Sequence, residues 1–432
     1  MVRWIERVLL VLVAIVLMQS PAYAQTLNQQ NRGLLAGNCA GLSGGGPYGA
    51  NLNAICTAGG VAQGAGGGGA ASVQASAASI LNRSILQRLD ETRDEDQSSG
   101  QKHASAMVAN PFGALMPGLL GGMGMTSPSQ PMGGQSGGMF GMSSERWKGL
   151  GLFASGLVES LSRNDGNFQE GYRSSILGFT VGGDYRFSRQ FTAGVAYSYS
   201  NTTGDFRQGG NFSTNGSDWT FFGQYLPTDR TFVQVTGGYG RNSYLVDRRN
   251  SLTLSNIAVA GFSSSNSNSD VFRMGMVTGY DHPIGMFTVG PRLGINYSHT
   301  HIHNFEERGS TGLELKYDDQ YVNSLQSVVG MQGQAAISTG MGVLVPQVNA
   351  DFIHEFANSQ RFLNVQYVED LSPTPTKFRF QNDVPVRNYF NVGTGLMMVL
   401  PNGWQPFVNF RAMVGNNQFN NYAGMFGLRV EM

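Results

Sequence analysis

From Glu145 to Met432 the connections between alternating segments come in two lengths, and the two lengths themselves alternate along the chain. Ser188-Arg189-Gln190, Pro227-Thr228-Asp229-Arg230, His282-Pro283-Ile284-Gly285, Ser338-Thr339-Gly340-Met341 and Pro401-Asn402-Gly403 read as tight turns. Between them fall long connections at about 158–173, 204–216, 245–269, 300–320 and 357–387, with only the last hairpin, near Gly415 to Asn417, short. Bacterial outer-membrane barrels sort their connections in this way, short on the periplasmic side and long outside. A soluble β-sandwich has no physical reason to do so.

The segments carry a matching period. Apolar and polar residues alternate in Phe191-Thr192-Ala193-Gly194-Val195-Ala196-Tyr197-Ser198-Tyr199 and in the closing Tyr422, Gly424, Phe426, Leu428, Val430 and Met432. That is the period of a strand with one face in an apolar medium. Twelve strands follow, at about 147–157, 174–187, 191–203, 217–226, 231–244, 270–281, 286–299, 321–337, 342–356, 388–400, 404–415 and 419–432. Most exceed the roughly five or six residues of a globular strand and match the roughly 9–11 that a tilted strand needs to cross a bilayer. The expected fold is all-β, a twelve-stranded antiparallel transmembrane β-barrel over 145–432 with both ends periplasmic.

The two faces sort by chemistry. One parity carries Phe179, Val195, Tyr197, Trp219, Phe221, Tyr225, Phe352, Phe390, Leu396, Phe410, Phe426 and Leu428, and is read as facing lipid. The other carries the candidate lumen charges Asp184, Arg186, Arg273, Asp351, Glu355, Arg411, Arg429 and Glu431, with Arg292, Gln224, Gln332 and Gln334. Charges placed away from lipid are expected to satisfy one another in an interior network, and closure removes unpaired strand edges from the membrane. Tyr185, Phe187, Tyr280, Tyr297 and Tyr389, toward strand ends, fit interfacial girdles.

The chain before Glu145 has another texture. Met1 to Ala24 combines Arg3 and Arg7, an apolar run from Val8 to Met18, and the small-residue site Ala22-Tyr23-Ala24. This order is that of a secretory signal peptide cleaved before Gln25; the run is shorter than the roughly 20 residues of a membrane-spanning helix. Residues 25–144 form a low-complexity region rich in glycine, alanine and serine, in a chain with 60 glycines and only 13% charged residues against a usual ~25%. Such sequence buries too little apolar surface to offset the entropy of ordering its backbone. Val73, Ala77, Ile80, Leu81, Ile85 and Leu89 are the exception, and their spacing predicts an amphipathic helix over about 72–92. The two cysteines, Cys39 and Cys56, would enter the periplasm, where one short disulfide loop is expected.

Little of this points to catalysis. No serine stands in a G-x-S-x-G elbow, and no Ser/His/Asp arrangement can be assembled. His299, His301 and His303 share a strand face, but no cysteine or pre-placed further ligand lies near them in the chain, so no metal or cofactor is expected. A net charge of zero gives no reason to expect nucleic acid as a partner.

Residues 145–432 resemble a known family, the autotransporter β-domain of type V secretion. The likeness rests on Gly178-Phe179-Thr180-Val181-Gly182-Gly183-Asp184, on Phe305-Glu306-Glu307-Arg308-Gly309, on His354-Glu355-Phe356 and on a chain that ends in its last strand. Phe426, Gly427, Leu428, Val430 and Met432 look like the family's terminal assembly signal, with methionine where the pattern has an aromatic residue. The resemblance implies a monomeric barrel in outer-membrane lipid, delivered by periplasmic chaperones to the barrel-assembly machinery of a Gram-negative cell. It also implies a translocator, not an enzyme, that secretes or displays its own N-terminal region and keeps a helix in its lumen, for which 72–92 is the candidate. The family's usual large β-helical passenger is replaced here by residues 25–144, so no passenger activity carries over. The alternative is a channel-like outer-membrane protein whose N-terminal region stays in the periplasm.

Overall fold

The computed structural model describes residues 44–54 and 149–431, apart from residue 52 and the short stretches 165–170, 189, 208, 229, 254–257, 358–361, 376 and 382–383. The signal segment, Cys39, Cys56, the helix expected over 72–92 and Met432 lie outside the described residues.

Twelve long strands build the wall. They are β1 (Leu150–Arg163), β2 (Tyr172–Arg186), β3 (Phe191–Phe206), β4 (Gly210–Thr228), β5 (Thr231–Thr253), β6 (Ala258–Tyr280), β7 (Phe287–Ile302), β8 (Gln320–Ala335), β9 (Gly342–Glu355), β10 (Asn388–Val399), β11 (Trp404–Val414) and β12 (Phe419–Glu431). Each pairs antiparallel with its sequence neighbours, and β1 pairs with both β2 and β12, which closes the ring. Closure leaves the wall without an unpaired strand edge, the condition lipid imposes.

Exposure is inverted relative to a soluble protein. Phe221 is 66% exposed and Phe426 58%, whereas Asp184 and Arg429 are buried. Charged groups are almost never buried unless paired, so the interior must supply partners.

The upper ends of the strands differ from the expected ones. β4 starts at Gly210, β5 runs to Thr253 and β6 starts at Ala258. The connections expected at 204–216 and 245–269 are therefore mostly strand, joined only through 207–209 and 254–257. Serine and asparagine in Ser263 to Asn268 read as loop by composition. In water above the membrane, however, a hairpin needs no apolar face while its ladder stays paired, and the β5–β6 register runs unbroken from Thr231↔Tyr280 to Thr253↔Ala258. The connections 300–320 and 357–387 do remain long. They hold the short strands Phe305–Glu306, Leu315–Tyr317, Phe362–Tyr367 and Phe378–Gln381, which form a separate four-stranded sheet.

That sheet is locked onto the inward face of the β5–β6 hairpin by a buried ion pair. Arg248 donates through Nη2 to Glu307 at 2.6 Å and to the Leu313 carbonyl at 3.0 Å, and the Tyr317 hydroxyl donates to the same glutamate at 3.1 Å. The Phe305-Glu306-Glu307-Arg308-Gly309 segment thus owes its central glutamate to a cap on the long-loop end. Gly44 to Ala54 docks on this cap as well. Gly44 bridges to Asp370, the Tyr48 amide donates to Glu369 Oε2 at 2.9 Å, and Asn51 Nδ2 donates to the Thr311 carbonyl at 3.1 Å.

The interior is not lined by polar residues alone. Inward positions hold two apolar clusters, one of Phe153, Ala196, Val345, Met397, Phe407 and Met425, the other of Leu161, Tyr172, Phe206, Phe212, Val246 and Phe419. Inward side chains of adjacent strands touch one another, and apolar ones among them gain roughly 25 cal/mol for each Å² they withdraw from water. Reading parity from charges alone passes over them.

Candidate functional site

Three lumen ion pairs share one device, a guanidinium and a carboxylate on strands flanking a third strand that carries glycine between them. On β1, Gly151 lies opposite Asp184 of β2 and also opposite Glu431 of β12. Arg429 Nη2 crosses this bare backbone and donates to Asp184 Oδ1 at 2.6 Å, with both side chains almost fully buried. A Cβ at Gly151 would stand 2.5 Å from the guanidinium and 2.8 Å from the carboxylate, so no other residue leaves room. Arg186 and Glu431 form a second, half-exposed pair beside it at 2.7 Å.

The same arrangement recurs around the ring. Asp218 of β4 and Arg273 of β6 meet over β5, where Gly240 faces the aspartate and Gly238 the arginine. Thr220 Oγ1 donates to the other oxygen of Asp218 at 2.6 Å. Arg292 of β7 donates through Nε to Asp351 of β9 at 2.6 Å across Gly330 of β8. Arg411 lies opposite Gly393, which faces Asn349 on its other side. Glu355 is held differently. It accepts from the Ser324 hydroxyl at 2.5 Å and from the Leu325 amide at 2.9 Å, closing the top of β8 and β9.

Asp218, the partner of Arg273, was not among the candidate lumen charges. It shares the parity of Gln224 on the same strand, which was signal enough. Glu159, which accepts from Asn421 Nδ2 at 2.6 Å, was missed because β1 continues past the expected end at 157. Chemically these pairs present a lumen whose opposite charges lie side by side rather than facing each other across an open bore.

The terminal strand is the other expected site. β12 is laddered to β1 from Phe419 to Glu431. Phe426 faces out and is exposed, with Leu428 and Val430 half-buried on the same parity. Gly427 has a packing reason, since a Cβ there would stand 2.5 Å from the edge of the inward Phe407 ring.

A closed twelve-stranded wall with apolar residues outside, paired charges inside and long loops at one end defines a bacterial outer-membrane β-barrel. The model of the Autotransporter beta-domain matches residues 152–411, and the chain belongs to that family. It is similar to "Outer membrane protein A" of Rickettsia conorii, 22% identical over 254 residues, covering 57% of this chain but 12% of that protein. The protein of the same description from Rickettsia rickettsii matches at 22% over 254 residues, 57% of this chain and 11% of its own length. The chain thus spans only a small part of the relatives it matches. Among solved structures, the translocator domain of autotransporter NalP from Neisseria meningitidis has a TM-score of 0.52 at 16% identity, over 66% of this chain and 89% of that one. At that identity the likeness concerns the fold alone.

Proposed function

We propose that this outer-membrane translocator barrel displays its own short N-terminal region at the cell surface. One observation supports the reading above the others. Gly44 to Ala54 is bonded to the connections 300–320 and 357–387, which belong to the long-loop end, whereas β1 enters from Gly149 at the tight-turn end, where the Gly149 carbonyl accepts from the Arg186 amide at 2.9 Å. On this reading Gly44 to Ala54 and the start of β1 sit at opposite ends of the barrel, as display of the N-terminal region requires. The channel alternative draws no support from lumen ion pairs in which Asp184, Asp218 and Asp351 each meet an arginine.

The test is an epitope inserted near Gly41 in otherwise unaltered protein. It is expected to be detected on intact cells and to be lost to external protease while the barrel survives. Detection only after the outer membrane is breached would overturn the reading.

A further inference from the structure

Three ligand-type side chains meet on the outer face of the barrel, beside the exposed Tyr239 and Phe272. Asp270 of β6 stands directly opposite His301 of β7 in the ladder, and His303 follows on the same face. His303 Nε2 lies 2.8 Å from Asp270 Oδ2, and the two imidazole rings are 4.4 Å apart. One potential ligand atom from each of the three lies within 4.8 Å of the others.

The surroundings hold these groups in place. The Tyr239 hydroxyl donates to Asp270 Oδ1 at 2.8 Å and Arg241 Nε donates to the same oxygen at 3.1 Å, which leaves Oδ2 turned toward the histidines. Tyr321 stacks on His301 with 4.5 Å between ring centres and 10° between planes. Asp319 Oδ1 stands 3.5 Å from His301 Nε2, and that nitrogen is buried with no hydrogen-bond partner among the described residues. Burial by itself would raise the Asp270 carboxyl, but hydrogen bonds from Tyr239, His303 and Arg241 outweigh it and hold it at about 2.

We propose that Asp270, His301 and His303 form a binding site for a divalent transition metal of the zinc type, with a water held by Asp319 completing the sphere. Two imidazoles and a carboxylate with one open position is a common zinc ligand set, with metal–ligand bonds of about 2.0–2.2 Å. Such bonds set ligand atoms about 3.3 Å apart. His303 and Asp270 are nearly there, and His301 closes the set by rotating its ring. Outer groups that bond to a ligand's second atom orient it and raise affinity, the part played by Tyr239 and Arg241 on Oδ1. His299 is not a member: it stands opposite Phe272 rather than Asp270 in the ladder, and its Nδ1 is bonded to Asn323 Oδ1 at 2.7 Å. The metal would clamp β6, β7 and the start of the 303–319 connection together outside the membrane.

The experiment uses the full-length protein without a histidine tag, purified in detergent and stripped with EDTA. Cobalt(II) chloride is expected to bind one-to-one with a visible absorption band of low coordination number, and zinc chloride to displace it. His303→Ala and Asp270→Asn should each weaken binding about 100-fold or more, and Tyr239→Phe about 10-fold. His299→Ala should leave it unchanged. Each variant is first checked for a folded barrel by heat-modifiable migration on gels. Wild-type protein that binds neither cobalt nor zinc stoichiometrically overturns the proposal. So does binding that survives His303→Ala and Asp270→Asn in folded protein.

Discussion

Arg429 reaches over Gly151 to Asp184, so the brace nearest the point of closure ties the last strand of the barrel to its second across its first. No continuous stretch of chain could form this bond, because its partners are 245 residues apart in sequence. It exists only once β12 has laddered to β1. Barrel closure and charge neutralisation therefore happen together at this seam, and the seam is where substitutions should tell most.

Arg429→Ala leaves Asp184 buried without its guanidinium, which typically costs about 3–5 kcal/mol. The expected outcome is a lower temperature of unfolding on heat-modifiability gels. Replacing both partners, as Arg429→Met with Asp184→Leu, should recover much of the loss, because a well-packed apolar pair has no desolvation penalty. Gly151→Val should behave like Arg429→Ala, since its side chain occupies the path of the guanidinium. Unchanged unfolding of Gly151→Val would show that the bond is dispensable.

Deleting Phe426 to Met432 removes half of the β12 ladder and leaves β1 with an unpaired edge in lipid. Such protein should be lost from the outer membrane and degraded in the periplasm, as read by fractionation and immunoblotting. Met432→Phe should assemble at least as well as the parent protein.

Leu396 faces lipid and Gln334 faces the lumen. A cation facing the bilayer midplane costs roughly 2–4 kcal/mol, so Leu396→Arg should assemble far worse than Gln334→Arg. Equal outer-membrane levels of the two would reverse the assignment of faces.

Arg248 and Glu307 are paired out of water where the cap meets the β5–β6 hairpin. Glu307→Gln should loosen the 300–320 connection without opening the wall. External protease is expected to cut that connection faster, while the residual barrel keeps its heat-modifiable migration.

Acid should weaken metal binding at the proposed site. Asp270, held at about 2, keeps its contribution above the ordinary carboxylate range near 4 and loses it only as pH falls through 2. The groups around it are Tyr239, Arg241, His301, His303 and Asp319. A metal binds imidazole only in its neutral form, so cobalt absorbance should fall on acidification and return when the pH is restored. An absorbance that does not respond to acid at all would mean that the histidines are not ligands.

The strands, their faces and the tight turns were legible because lipid acts on every spanning residue alike. It enforces a period of two and forbids an unpaired edge, so local pattern and global fold carry the same information. The terminal strand could be read for the same reason. The polar hairpin above the membrane could not, because water leaves a strand's composition free and only its ladder partner defines it. The brace from Arg429 to Asp184, its counterparts over Gly238, Gly240 and Gly330, and the meeting of Asp270 with His301 and His303 all join residues far apart in the chain. Each depends on the register between neighbouring strands, and a pairing shifted by one residue would turn the same side chains to the opposite face. Sequence by itself determined which medium each side chain faces, and only the closed barrel decided which side chains meet, because register is a property of the whole ring.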